Sequence, residues 1–215
     1  MQRMIPAFVA TAAAWLFSIW ASFRLPERVP IHWNLRGEVD GWGSPAIALW
    51  LMPAIMLGDL LLFWAIPKID PRRASWDQHD SAYWTIVSGL NVFMLAVHVG
   101  VLGAGLGWTS RTGQWIPVGV GLLIAFIGNV LTRIRPNFFV GYRTPWSLSS
   151  DENWRKTHRL AGPLFIAGGL ALAFGGALGG AFLIPGMVAL FVATLYPFIY
   201  SYRLWRAEQA APGNQ

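Results

Sequence analysis

The chain has 215 residues, 55% of them hydrophobic and only 12% charged, about half the charged share of an ordinary soluble domain. Its formal charge of +6 resides on Lys and Arg set between long apolar runs, where they act as topology signals and not as a nucleic-acid surface. The absence of Cys excludes disulfides, thiolate catalysis, Cys-ligated zinc and lipidation through Cys.

In chain order, the first apolar run is Met4 to Phe23. Its 20 uncharged residues span ~30 Å as a helix. A signal-peptide core is shorter, so this run reads as an uncleaved first span. The second run, Ser44 to Ile66, is interrupted only by Asp59, and the third and fourth are Tyr83 to Trp108 and Trp115 to Thr132. Leu160 to Tyr202 has 43 residues without Asp, Glu, Lys or Arg, too long for one span, and divides around Gly179-Gly180 and Pro185-Gly186 into a helical hairpin. The predicted fold is therefore an all-α, polytopic membrane bundle of six transmembrane helices. With the N-terminus inside, twelve Lys and Arg fall in cytoplasmic segments and four outside, which places both termini in the cytoplasm. Residues 1–66, 67–132 and 133–215 form three successive helical hairpins, and the tail after Arg206 reads as a frayed end. The pairs Gly103/Gly107, Gly175/Gly179 and Gly176/Gly180 have the spacing that lets helix backbones approach closely.

Two connecting segments are large enough to carry function. The outer one, Arg24 to Gly43, opens on an extended Leu-Pro and Val-Pro stretch and turns at Gly37 and Gly41. It presents His32, Trp33, Asn34 and Asp40, either as a recognition surface or as a structural cap whose Asn34 and Asp40 bond the loop's own backbone. The cytoplasmic one, Arg133 to Arg159, contains Asn137, Arg143-Thr144-Pro145-Trp146 and a helix start at Ser149 or Ser150. Trp154, Thr157 and His158 share one face of that short amphipathic helix, while Arg155, Lys156 and Arg159 fall on the others, suited to anionic headgroups.

Together these segments resemble the SdpI family of bacterial membrane proteins, associated with immunity to a secreted peptide toxin and with signalling. The outer match is Leu25-Pro26, Val29-Pro30, His32-Trp33-Asn34, Gly37 and Asp40, the signature of a domain often found at the N-terminus of such proteins. The cytoplasmic match is Gly128-Asn129, Arg135-Pro136-Asn137, Gly141, Arg143 to Trp146, and Trp154 to Arg159. The resemblance implies a multi-pass protein of the bacterial plasma (inner) membrane that meets an extracellular peptide toxin or envelope stress. On that reading His32, Trp33, Asn34 and Asp40 bind the ligand. Asn137, Arg143, Thr144, Pro145, Trp146, Trp154 and His158 then relay occupancy to a cytoplasmic regulator. Membrane lipids are the other expected partners, and neither a cofactor nor an enzymatic step is expected.

Within the membrane, Asp59, Asn91, His98 and Asn129 are the polar residues that need an explanation. Asp59 and Asn91 fall at similar depths, ~10 and ~12 Å from the inner ends of their helices at 1.5 Å per residue, so they could meet. They would line the path of a small transporter or channel, the first alternative function. The second is a membrane enzyme acting on a lipid or peptide, using His32 with Asp40 or His158 with the arginines. Metal chemistry is poorly supported, because His32 and His158 lie on opposite sides of the bilayer. His79 and His158 share the cytoplasmic side, where lone histidines more often serve local hydrogen bonds.

Overall fold

A computed structural model describes residues 2–72, 76–109 and 111–210, with residues 77–80 described by their backbone alone. A 3-10 turn leads into α1 (Ile5–Ala21). The extended outer segment closes into an antiparallel hairpin of β1 (Val29–Trp33) and β2 (Val39–Gly43). Helices α2 (Pro45–Ile69), α3 (Trp76–Gly105) and α4 (Thr112–Leu131) follow. A short α5 (Pro145–Ser149) precedes the long α6 (Asp151–Leu178) and α7 (Leu183–Ala210). Among the described residues six helices are long and apolar enough to cross a membrane. Their outward faces are greasy: Leu16, Phe174 and Phe191 are 68%, 68% and 62% exposed, which only a lipid surrounding tolerates over so large an area. The chain is a multi-pass, all-α membrane bundle.

Two local expectations change. The basic amphipathic segment at Asp151 to Arg159 is the first two turns of the fifth span itself, because its Trp154, Thr157 and His158 face is buried in protein and does not lie on the membrane surface. The last helix continues past Arg206 to Ala210, with Trp205 packed on Tyr202 and Trp146 and Ser150 Oγ donating to Glu208. The remainder of the expected frayed tail, 211–215, lies outside the described residues.

Helix α2 shows how the bundle copes with proline in lipid. Pro53 and Pro67 have no N–H, so the carbonyls four residues earlier, Leu49 and Phe63, lose their helical donors. An unpaired carbonyl is costly where no water can reach it. Ser18 of α1 donates to Leu49 O at 2.6 Å, and the Tyr83 hydroxyl of α3 donates to Phe63 O at 2.7 Å. The same two helices are joined to each other by polar pairs: Thr11 with Asn91 at 3.2 Å and Ser18 with His98 at 2.8 Å. Each pair recurs seven residues on along both helices, so α1 and α3 run parallel and in register.

The other half is held by backbone contact. A Cβ on Gly128 would lie 2.7 Å from Gly162 O, one on Gly169 would lie 2.5 Å from Gly121 O, and one on Gly176 would lie 2.9 Å from Pro117 Cβ. Helices α4 and α6 thus touch main chain to main chain along most of their length. On its opposite side α6 meets α7 through Gly168, facing Ala193, and Gly186, facing Ala171 O. The expected glycine spacings are used differently. Gly107 and Gly179 have φ of +75° and +70° and make turns, and no atom lies within 4 Å of a Cβ on Gly107. Packing falls instead to the seven-residue series Gly162, Gly169 and Gly176.

Six spans among the described residues leave the start of the first and the end of the last on one side of the membrane, which the charge count predicts to be the cytoplasm. Since the chain has no Cys of its own, single substitutions report sidedness cleanly. Ser44→Cys should be labelled by an impermeant thiol reagent in intact cells and Ser149→Cys, an exposed position on the other face, only after lysis. The opposite pattern would invert every functional statement below.

Candidate functional site

The outer hairpin divides the expected recognition residues between two faces. His32 and Asp40 pair across the strands, Nδ1 to Oδ1 at 2.5 Å, and stand in the open with side chains 70% and 43% exposed. Asn34 is occupied by the turn: its Oδ1 accepts from the N–H groups of Arg36 and Glu38, and its Nδ2 donates to Glu38 Oε2. Trp33 is placed differently, across an irregularity in the strand register between His32 and Trp33. It lines a cleft of about 610 Å³ under the hairpin, together with Pro30, Val39, Trp108 and Arg111. The hairpin is fixed over this cleft because its tip, Gly37, rests against Gly113 of α4 and Val29 packs on Gly105 of α3. Two indoles and one guanidinium therefore line one open cleft beside the hairpin, a combination suited to an aromatic or apolar ligand with an acidic group. Trp108 and Arg111 were not singled out from the sequence. Nothing local marks them, since they belong to a different connection from the hairpin.

In the membrane, Asp59 and Asn91 are not joined. Asn91 is buried and bonds Thr11 and the Val87 carbonyl, whereas Asp59 is half-buried and takes no hydrogen bond among the described residues. His98 is buried with Nε2 2.8 Å from Ser18 Oγ, which also donates to Leu49 O. Asn129 is exposed near the inner end of α4. Asn91 and His98 thus form separate helix-to-helix clasps, in which Asp59 and Asn129 take no part.

On the cytoplasmic side, the expected relay residues are woven into a buried lock. Asn137, fully buried, satisfies its own loop: Nδ2 donates to Arg135 O and Val140 O, and Oδ1 accepts from the N–H groups of Phe139 and Val140. Gly141, at φ +111°, brings the next residue close enough for Tyr142 N to donate to His158 Nε2 at 3.0 Å. His158 Nδ1 then carries the proton and donates to Trp154 O at 2.8 Å, while its ring stacks on Trp154 at 4.1 Å. Both ring nitrogens are committed, so His158 is a structural bolt with no free site for base or metal chemistry. His79 cannot be placed beside it, because its side chain lies outside the described residues. Burial pushes the Tyr142 phenol above its ordinary range and keeps it a donor to Thr194 O on α7.

Thr144 and Ser147 form a reciprocal cap on α5. Trp146 donates through Nε1 to Ser201 Oγ at 2.5 Å, and Asn153 Nδ2 donates to Ser201 O, which ties α5 and α6 to α7. Asp70, buried at the end of α2, accepts from the N–H groups of Arg72 and Phe138, and Arg72 reaches Leu148 O and Asp151. Asp70, Asn153 and Ser201 were missed in the sequence, although Asp70 sits where an apolar run ends before Pro71, a turn position. Arg143 lies exposed and donates to Phe138 O; with exposed Pro145 and the edge of Trp146 it is what this lock offers to a partner.

Both segments correspond to known protein families. Residues 133–201 match the SdpI/YfhL protein family, and residues 9–57, which include the hairpin, match a domain of unknown function (DUF1648). Over 209 residues, 95% of this chain and 98% of the other, the chain is 23% identical to Immunity protein SdpI of Bacillus subtilis (strain 168). No solved structure matches the chain. The likeness to that one immunity protein thus extends over nearly the whole length, while the match to the SdpI/YfhL family is confined to residues 133–201.

Proposed function

We propose that this chain, carrying an SdpI/YfhL segment and alignable end to end with an immunity protein, is itself an immunity protein of a bacterial plasma membrane. It binds an extracellular membrane-active peptide without chemical turnover and reports occupancy through the cytoplasmic lock. The observation that supports this reading is the cleft beneath the outer hairpin, with Trp33, Trp108 and Arg111 around it. Such residues dominate recognition surfaces because they combine large apolar area with directed hydrogen bonds. The cytoplasmic arm of the reading rests on Arg143 and Trp146, the accessible part of a segment bonded to α6 and α7.

Cells expressing the protein should survive challenge with a cognate membrane-active peptide, and Trp33→Ala or Arg111→Gln should weaken peptide binding by about 2 kcal/mol, roughly thirtyfold. Arg143→Ala should leave peptide binding intact while lowering the cytoplasmic response, since it lies across the bilayer from the cleft. Unchanged binding in Trp33→Ala and Arg111→Gln at normal protein level would remove the cleft from the mechanism. Equal loss of binding in all three would make the two regions one structural unit and end the relay idea.

A further inference from the structure

We propose that the cytoplasmic ends of α4 and α6 form a binding site for the phosphodiester of an anionic phospholipid headgroup. A pocket of about 530 Å³ opens there between the end of α4, with its following loop, and the first turns of α6. Four cations surround it: Arg135 from the loop, and Arg155, Lys156 and Arg159 from the helix. One carboxylate, Glu152, also lines it and is engaged by Arg155 and by Lys156 at 3.4 Å. Arg135 and Arg159 take no ion pair among the described residues, and they line the same pocket, one from the loop and one from the helix. Guanidinium groups stay charged and offer planar forks that match phosphate oxygens. Glu152 is taken up by Arg155 and Lys156, so Arg135 and Arg159 are left to receive an anion. His158 is part of the wall but does not compete for the anion, since both its nitrogens are already bonded.

The position selects a lipid as the source of the phosphate. Arg159 immediately precedes the apolar stretch that begins at Leu160, so the cations sit at the level of the inner-leaflet headgroups. The methylene stems of the Arg and Lys side chains that line the pocket offer apolar contact for the glycerol and first methylenes of a lipid, which free phosphate would leave unused.

The test is native mass spectrometry of the full chain in detergent, incubated with equal amounts of phosphatidylglycerol and phosphatidylcholine bearing the same acyl chains. Phosphatidylglycerol adducts should exceed phosphatidylcholine adducts by about tenfold or more. The double variant Arg135→Gln/Arg159→Gln should lose that preference, and Arg28→Gln/Arg36→Gln on the outer hairpin should keep it. Glu152→Gln, which removes the competing carboxylate, should strengthen the preference, and this arm remains informative should the double variant fold poorly. Equal adducts in the natural protein, a preference that survives the double variant, or a weaker one in Glu152→Gln each overturn the proposal. Displacement of phosphatidylglycerol by millimolar inorganic phosphate would make this a free-phosphate site and overturn it equally.

Discussion

Gly141→Ala should cost the protein most of its stability and its yield in membranes. At φ +111° a residue with a Cβ is strained by about 1–3 kcal/mol before any contact is considered. The added methyl would also drive into His158 Nε2 and come within 3.2 Å of Trp154 Cζ2. Neither ring can yield. They are stacked on each other, His158 is held through Nδ1, and Trp154 is held through Nε1 to Ile134 O. The backbone must therefore move, and Tyr142 N–H loses its buried acceptor at about 1–3 kcal/mol more. A typical folded protein has only about 5–15 kcal/mol in total. Gly107→Ala is the matched control, because its φ of +75° carries the strain while open space surrounds the new methyl. Thermal unfolding in detergent should show a large fall for Gly141→Ala and a small one for Gly107→Ala. Equal falls would mean that the close approach to His158 contributes nothing.

Gly128→Leu and Gly169→Leu should separate α4 from α6 and abolish assembly of that half of the bundle. Each introduces a branched side chain where the facing main chain is already within 2.5–2.7 Å of a Cβ. Overpacking ordinarily costs roughly 1–3 kcal/mol, and the cost here lies at the upper end or beyond because the obstacle is backbone, which cannot rotate away as a side chain can. Gly58→Leu provides the contrast: a Cβ there meets nothing within 4 Å, so leucine adds one more lipid-facing residue. Thermal stability in detergent should fall steeply for the first two and stay level for the third. Retention of natural stability by Gly128→Leu would show that the α4–α6 contact is dispensable.

These two expectations come from parts of the molecule that were unequally readable beforehand. Gly141 already stood among the motif residues, but its consequence depends on His158, seventeen residues on, folding back beneath it. Among the glycines of α4 and α6, Gly128 stood in a motif and Gly175 and Gly176 in four-residue spacings. Those spacings belong partly to turns, and the seven-residue series Gly162, Gly169 and Gly176 was not read. Trp154, Thr157 and His158 were placed on one helix face from their spacing, and that face is the buried one. What spacing did not reveal is that the face meets protein and not the membrane surface.

Sequence alone determined the number of spans, their approximate limits, the hairpin division near Gly179 and the expected sidedness. Those features depend on the length of apolar runs and on where Lys and Arg fall, properties that each segment carries by itself. Tertiary structure alone decided which polar groups meet: Thr11 with Asn91 and Ser18 with His98, each 80 residues apart, and Asp70 with the backbone of Phe138. It also turned Trp33 inward to Trp108 and Arg111 and His32 outward to Asp40. In a soluble protein the alternation of apolar and polar residues marks the inward face in advance. Here the surroundings are as apolar as the interior, so the inward and outward faces of a helix are written in the same residues, and only packing distinguishes them.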